Sequence, residues 1–218
     1  DTNPYYYLAG KYGIHPTYIQ ELLTISFDEN EMITAINQLK NSGGKKYNVD
    51  LVRSEFQQPT KFIKGTWAPI KQIKNRDVLL IASGPKAIDY KKEIEEFIKK
   101  KKPFVIATNT NICINKKLVN IFVASNPLKL IADSNSYKSL TAPLVVPKSL
   151  LSNDIKTKFR KTKLLDFGVG VKENCFEFHK TGAVMPILYN LSYALAIATS
   201  GNASRILLAG FDGYGLNH

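Results

Sequence analysis

Asp77-Val78-Leu79-Leu80-Ile81-Ala82-Ser83-Gly84-Pro85 is the stretch on which the reading of this chain turns. Its first six residues form an apolar run of strand length, and Ser83-Gly84-Pro85 follows at once as a tight turn. A helical stretch then runs to about Lys102. Strand, glycine turn and helix in that order open a unit of alternating β and α structure. Further along, Phe104-Val105-Ile106-Ala107, Asn120-Ile121-Phe122-Val123-Ala124, Pro143-Leu144-Val145-Val146 and Arg205-Ile206-Leu207-Leu208-Ala209 supply four more strands with helices between them. The alternation predicts an α/β fold with a Rossmann-like, mostly parallel sheet and helices on both faces, preceded by a small helical segment.

Composition supports a globular chain. It has 218 residues, 44% of them hydrophobic, with 30 Lys plus Arg against 18 Asp plus Glu. The longest apolar stretch, Ala183 to Ala198, is interrupted by Pro186, Asn190 and Ser192, so no stretch meets the roughly 18 to 20 residues of a membrane-spanning helix. Cys113 and Cys175 are too few for a disulfide framework and have no neighbours at zinc-ligand spacing. We therefore expect no metal site here, two buried thiols, and a cytoplasmic location. The start at Asp1 is neither a Met nor a signal segment, which reads as a piece of a longer polypeptide.

Charge divides the chain. Residues 1–60 carry 5 basic and 7 acidic side chains, whereas 61–218 carry 25 and 11. Gln57-Gln58-Pro59-Thr60 and Gly65-Thr66-Trp67-Ala68-Pro69 read as a linker between a helical first module, 1–60, and a second module, 61–218, that reads as truncated at its end. In the first module, Pro16 opens one helix and Asp28 with Glu31 caps another. Asn41-Ser42-Gly43-Gly44 stops the second helix, and a third short helix runs to Phe56.

Ligands of parallel α/β sheets lie outside the carboxyl ends of strands, so the loops there are the candidate site. Ser83, Gly84 and Pro85 would let a backbone approach a phosphate, or simply turn the chain. Asn109 in Thr108-Asn109-Thr110-Asn111, and Ser125 and Asn126 in Ser125-Asn126-Pro127, add hydroxyl and amide groups, and each also suits a turn. Thr181 and Gly182 are expected to begin the long apolar helix that reaches Ser200-Gly201. Its Ala194, Ala196 and Ala198 would pack closely on the sheet. Asp212, in Gly210-Phe211-Asp212-Gly213-Tyr214, stands after the last strand, where a carboxylate binds a ribose or a metal or satisfies turn amides.

Two resemblances emerge from these motifs. Pro4-Tyr5-Tyr6-Tyr7-Leu8-Ala9-Gly10-Lys11-Tyr12-Gly13-Ile14-His15-Pro16-Thr17-Tyr18 resembles the segment that follows the barrel in 4-hydroxy-2-oxovalerate aldolase-like proteins of the pyruvate-carboxyltransferase-like, metal-dependent TIM-barrel superfamily, over residues 1–56. The resemblance implies an aldolase, a lyase, as parent protein, with the missing barrel as a partner and a divalent metal expected only there. His15 reads as a packing or capping residue.

The second resemblance spans residues 77–214. Leu79 to Pro85, Ile106 to Asn109, Ser125 to Pro127, Thr181 to Ala183 and Leu207 to Tyr214 are similar in order and spacing to the bacterial sialyltransferases that use CMP-activated sialic acid, and to the 6-hydroxymethylpterin diphosphokinase-like family. In the sialyltransferases the Gly-Pro loop and two Asn-bearing loops hold the nucleotide. The resemblance therefore implicates Gly84, Pro85, Asn109, Ser125, Asn126, Thr181 and Gly182 in nucleotide or nucleotide-sugar binding. Those enzymes carry a longer Gly-x-Gly-Pro-Ser loop where this chain has Ala82-Ser83-Gly84-Pro85-Lys86, which fits binding retained with catalysis lost. His179 is the only candidate for their catalytic His, at much shorter spacing, and no catalytic residue is assigned.

The basic excess gathers at Lys99 to Lys102 and at Lys148 to Lys163, which holds six basic residues against one acidic. Such runs read first as solvated faces, and no motif for a specific nucleic acid accompanies them. The combined expectation is the C-terminal portion of an aldolase-type protein carrying a nucleotide-binding, transferase-like domain for a nucleotide-linked small molecule. Polysaccharide biosynthesis at the cell surface would use both. Alternatives are a non-catalytic regulatory or oligomerisation module, with self-association into a homo-oligomer, and Mg-dependent pyrophosphoryl transfer with Asp212 as a metal ligand.

Overall fold

A computed structural model describes residues 60–108, 110, 112–125, 130, 134–151, 153–186 and 188–212. The helical module expected over 1–60 lies outside them except for Thr60, as do Asn109, Asn126 and the end of the chain after Asp212.

The fold is α/β, Rossmann-like, and built on a six-stranded, all-parallel sheet. Its strands are β2 (Asp77–Ile81), β3 (Phe104–Ala107), β4 (Ile121–Val123), β5 (Leu144–Val146), β6 (Leu164–Asp166) and β10 (Arg205–Ala209), in the order β10-β2-β3-β4-β5-β6. Five of these were legible as apolar runs. The short β6 was not, because Lys161-Thr162-Lys163 masks its start and only Leu164-Leu165 is apolar.

Strands flanked on both faces are apolar at every position, since a pleated strand sends alternate side chains to opposite faces. Val78 and Leu80 join one buried cluster, with Phe104, Ile106 and Val145. Leu79 and Ile81 join the other, with Val105, Ala107 and Phe122. Ile98 of α3 (Lys91–Lys101) covers the second face, together with Tyr137 of α4 (Ser134–Lys138) and Phe159, which follows α5 (Asn153–Lys158). Two short helices, α1 (Ile70–Ile73) and α2 (Pro85–Asp89), precede α3, and Tyr90 separates α2 from it.

The first face is covered by α6 (Asn190–Ser200) and by a second sheet that the sequence did not announce. That sheet contains β1 (Thr60–Ile63), β7 (Gly168–Val171), β8 (Glu177–His179) and β9 (Gly182–Met185), in the order β1-β7-β9-β8. β7 and β9 run parallel, while β1 and β8 pair antiparallel at the edges. Ala194, Ala196 and Ala198 of α6 are buried, as the small-residue pattern predicts.

Two expectations are corrected here. The linker read at 57–69 is built structure in its described part. Thr60–Ile63 is a strand, and the Gly65 and Trp67 amides donate to Thr181 O and Asp166 O at 3.1 and 2.8 Å. Trp67 also packs edge-on against Phe167. Pro and Gly mark a tight corner here rather than a flexible join. Second, Thr181 and Gly182 do not start the long helix. Lys180 and Thr181 form the turn between β8 and β9, where His179 pairs with Gly182, and the helix begins only at Asn190. The apolar stretch from Ala183 onward is a strand and a helix in succession. Pro186 separates them because it cannot donate to a ladder, and the Tyr189 amide donates to Ser192 Oγ at 2.9 Å to cap the true start.

No helix among the described residues is long and apolar enough to cross a membrane.

Candidate functional site

From β2 the chain steps outward through β3, β4, β5 and β6 in one direction. It then returns through α6 to place β10 on the other side of β2. The strand order reverses between β2 and β10, and the loops leaving their carboxyl ends diverge from that point. This is where open parallel sheets form a ligand crevice.

The two loops stay zipped past the strands. The Ala82 amide donates to Ala209 O and the Gly84 amide to Gly210 O, both at 2.9 Å. Gly210 makes this possible with φ of 76°, in the region that side chains disfavour. Gly84 has ordinary φ, so its requirement is space. A Cβ there would lie 2.4 Å from Gly210 O and 2.5 Å from Asp212 Oδ1. One more link closes the corner, where the Lys86 amide donates to Asp212 Oδ2 at 2.9 Å. The first free amide of α2 thus meets a carboxylate, the favoured partner at a helix start. Ser83, Pro85, Lys86 and Asp212 are all exposed at this corner.

Farther along the rim, one side chain ties two strand ends together. Asn190 Oδ1 accepts from both the Ser125 amide and the Ser125 hydroxyl at 2.8 Å, while Asn190 Nδ2 donates to Thr108 O at 3.1 Å. Thr108 donates in turn from its amide and its hydroxyl to Ile81 O, at 2.9 and 3.3 Å. Ser125 is 1% exposed, so its hydrogen-bonding capacity at the rim is met from within.

A third clamp joins β5 to β6. Ser149 donates to the Asp166 carboxylate from its amide, at 3.2 Å, and from its hydroxyl, at 2.6 Å. Asp166 is 4% exposed, and its backbone oxygen accepts from the Thr66 and Trp67 amides. Beside it, Tyr193 is fully buried and donates to Phe167 O. Burial, and then the Asp166 charge, push the Tyr193 phenol well above its ordinary range.

No family model matches the chain, and no curated protein does.

The structure gathers Ser83, Gly84, Pro85 and Asp212 into one corner and places Ser125 on the rim near it. Thr181 and Gly182 belong to the small sheet instead. Thr181 O accepts from Gly65 and Gly168, and a Cβ on Gly182 would meet Gly168 O at 2.6 Å and Phe62 Cε2 at 2.7 Å. Their small size serves sheet packing. His179, on the edge strand β8, stacks on Phe62 with ring centroids 4.5 Å apart and lies 3.5 Å from Glu177.

Both thiols are half-buried, not buried as expected. Cys113 donates to Ala87 O at 3.0 Å, and burial raises its pKa. Cys175 donates to Glu177 Oε1 at 3.2 Å, and that bond, with burial, raises its own. A raised pKa disfavours the thiolate, the nucleophilic form of the side chain.

Sequence reasoning missed Asn190, Ser149 and Asp166. Asp166 follows Leu164-Leu165 and precedes Phe167-Gly168, the same strand-end placement that singled out Asp212. Asn190 had a signal too, as the polar interruption of an apolar stretch.

Proposed function

We propose that this chain is a nucleotide- or nucleotide-sugar-binding domain of transferase type, with its ligand in the crevice outside β2 and β10. The observation that supports this best is the reversal of strand order at that point, with an exposed carboxylate and hydroxyl, Asp212 and Ser83, on its two lips. In this reading Asp212 accepts from ribose or sugar hydroxyls. The phosphate lies toward the strand ends at Thr108 and Ser125, because at the start of α2 it would compete with Asp212 for the Lys86 amide. Thr181 and Gly182 entered the site as an expected helix start, and without that start the proposal does not use them. The aldolase-type parent is proposed from the sequence of residues 1–56 alone, and a place in surface-sugar biosynthesis from the two sequence resemblances together.

A second reading has its own support. Asp212 already satisfies Lys86, and Asn190 already satisfies Ser125, so these described groups of the rim are met from within, as in a non-catalytic module. A thermal-shift panel of CMP, CDP, UMP, UDP, GDP, ATP and GTP, with and without Mg²⁺, separates the readings. Ligand at 100 times its dissociation constant stabilises by about 2.7 kcal/mol. The account expects a metal-independent response to cytidine or uridine nucleotides. A response only to triphosphates with Mg²⁺ would favour pyrophosphoryl transfer, and no response at all would favour the non-catalytic module.

A further inference from the structure

At the edge of the large sheet opposite β10, beside β6, lies a pocket of about 530 Å³ that the nucleotide reading does not use. Four strand spacings, about 19 Å, separate β6 from β2. The pocket is lined by three cations, Lys148, Lys156 and Arg160, by the hydroxyls of Thr157 and Thr162, and by Phe159 at its apolar floor. No acidic side chain lines it among the described residues.

The sequence that makes the pocket is the basic run read above as a solvated face. Phe159 and Leu151 point into the buried cluster on that side of the sheet. The short helix α5 is thereby pinned, and its Asn153, Lys156 and Thr157 line the cavity. Lys156 is half-buried in this position, whereas Lys148 and Arg160 reach solvent. Thr162 Oγ1 is shielded from solvent and has no hydrogen-bond partner among the described residues. Native structures rarely leave such a group unmatched.

We infer that this pocket is an anion site for a small molecule bearing a phosphate or pyrophosphate group. Three cations, with no acidic side chain among the described lining residues, repel one another and attract a multiply charged anion. The Arg160 guanidinium offers a planar fork that suits phosphate oxygens, and the exposed Thr157 hydroxyl adds a neutral donor. The volume falls within the 300–1,000 Å³ range of small-molecule sites and far exceeds one phosphate, so the anion is carried on a larger body. Phe159 is buried and offers no stacking face, which favours a small molecule over a nucleic acid strand.

The test is calorimetric titration of the full chain with inorganic pyrophosphate, with inorganic phosphate, and with a single-stranded 20-nucleotide DNA, at fixed ionic strength. Pyrophosphate is expected to bind more tightly than phosphate. The K156Q/R160Q double variant is expected to weaken pyrophosphate at least tenfold, with far-UV circular dichroism and melting temperature unchanged. Asp212→Asn, in the other crevice, is expected to leave pyrophosphate affinity alone, so this site and the nucleotide crevice fail independently. Equal pyrophosphate affinity in the wild type and a folded K156Q/R160Q protein would overturn the assignment. So would binding of the DNA with no binding of pyrophosphate.

Discussion

Asp212 and Lys86 stand 126 positions apart, yet the Asp212 carboxylate accepts the Lys86 amide at 2.9 Å and locks the loop after the last strand onto the start of the first crossover helix. Substitution of Asp212 by Ala removes a helix-start acceptor and is expected to cost about 0.5–2 kcal/mol. Asn retains an acceptor oxygen and should cost less. Urea denaturation of the two variants measures both, and equal losses would show that the bond to Lys86 is not what Asp212 contributes.

Gly84→Ala tests the tight approach of the same two loops. The added Cβ meets the backbone carbonyl of Gly210 as well as the Asp212 carboxylate, and backbone cannot swing aside, so the loops must part. A loss of about 1–3 kcal/mol is expected, the usual range for overpacking. Ser83→Ala, one residue earlier and exposed, should change stability by less than about 0.5 kcal/mol.

Asn190→Ala removes the side chain that holds two strand ends. The Ser125 amide and hydroxyl and the Thr108 carbonyl lose their partner together. Orphaned buried groups cost about 1–3 kcal/mol each, but not additively, so a total of about 2–4 kcal/mol is expected. Ser125→Ala removes one hydroxyl from the same knot and should cost about 1 kcal/mol. If the two variants unfold at the same urea midpoint, Asn190 is not the organiser of this rim.

Tyr193 and Asp77 give stability opposite pH dependences. The folded-state pKa of Tyr193 is raised, so its contribution is whole below the unfolded value of about 10 and fades as pH climbs above it. Tyr193→Phe should be less stable at neutral pH and should lose this alkaline decline. Asp77 is held low by its bond to Arg205, with Nε to Oδ1 at 3.0 Å and Nη2 to Oδ2 at 2.6 Å. A depressed carboxylate contributes above its unfolded pKa of about 3.9 and loses that contribution as pH falls through the folded value. Asp77→Asn should therefore differ from wild type at pH 7 and converge with it in acid. Melting curves from pH 2 to 11 read both.

The large sheet was legible because its strands are buried on both faces, and continuous runs such as Val78 to Ile81 and Val105 to Ala107 cannot be mistaken for solvated loops. The small sheet was not, since its strands are four residues or fewer. They are stocked with glycine at Gly168, Gly170 and Gly182, residues that pack by being absent and leave no hydrophobic period. The candidate corner of Ser83, Gly84, Pro85 and Asp212 was readable from strand-end placement alone. The interactions that shape the rest of the rim were not, because Asn190 with Ser125 and Ser149 with Asp166 are partners 65 and 17 residues apart, with nothing local to pair them.

The most direct test of the account is an amide chemical-shift titration of the ¹⁵N-labelled chain with CMP. The nucleotide reading predicts saturable shifts at the Ser83, Gly84, Lys86 and Phe211 amides, at the lips of the crevice between β2 and β10. Saturation with those four amides unmoved, or with shifts confined to Lys156 through Thr162, would contradict it.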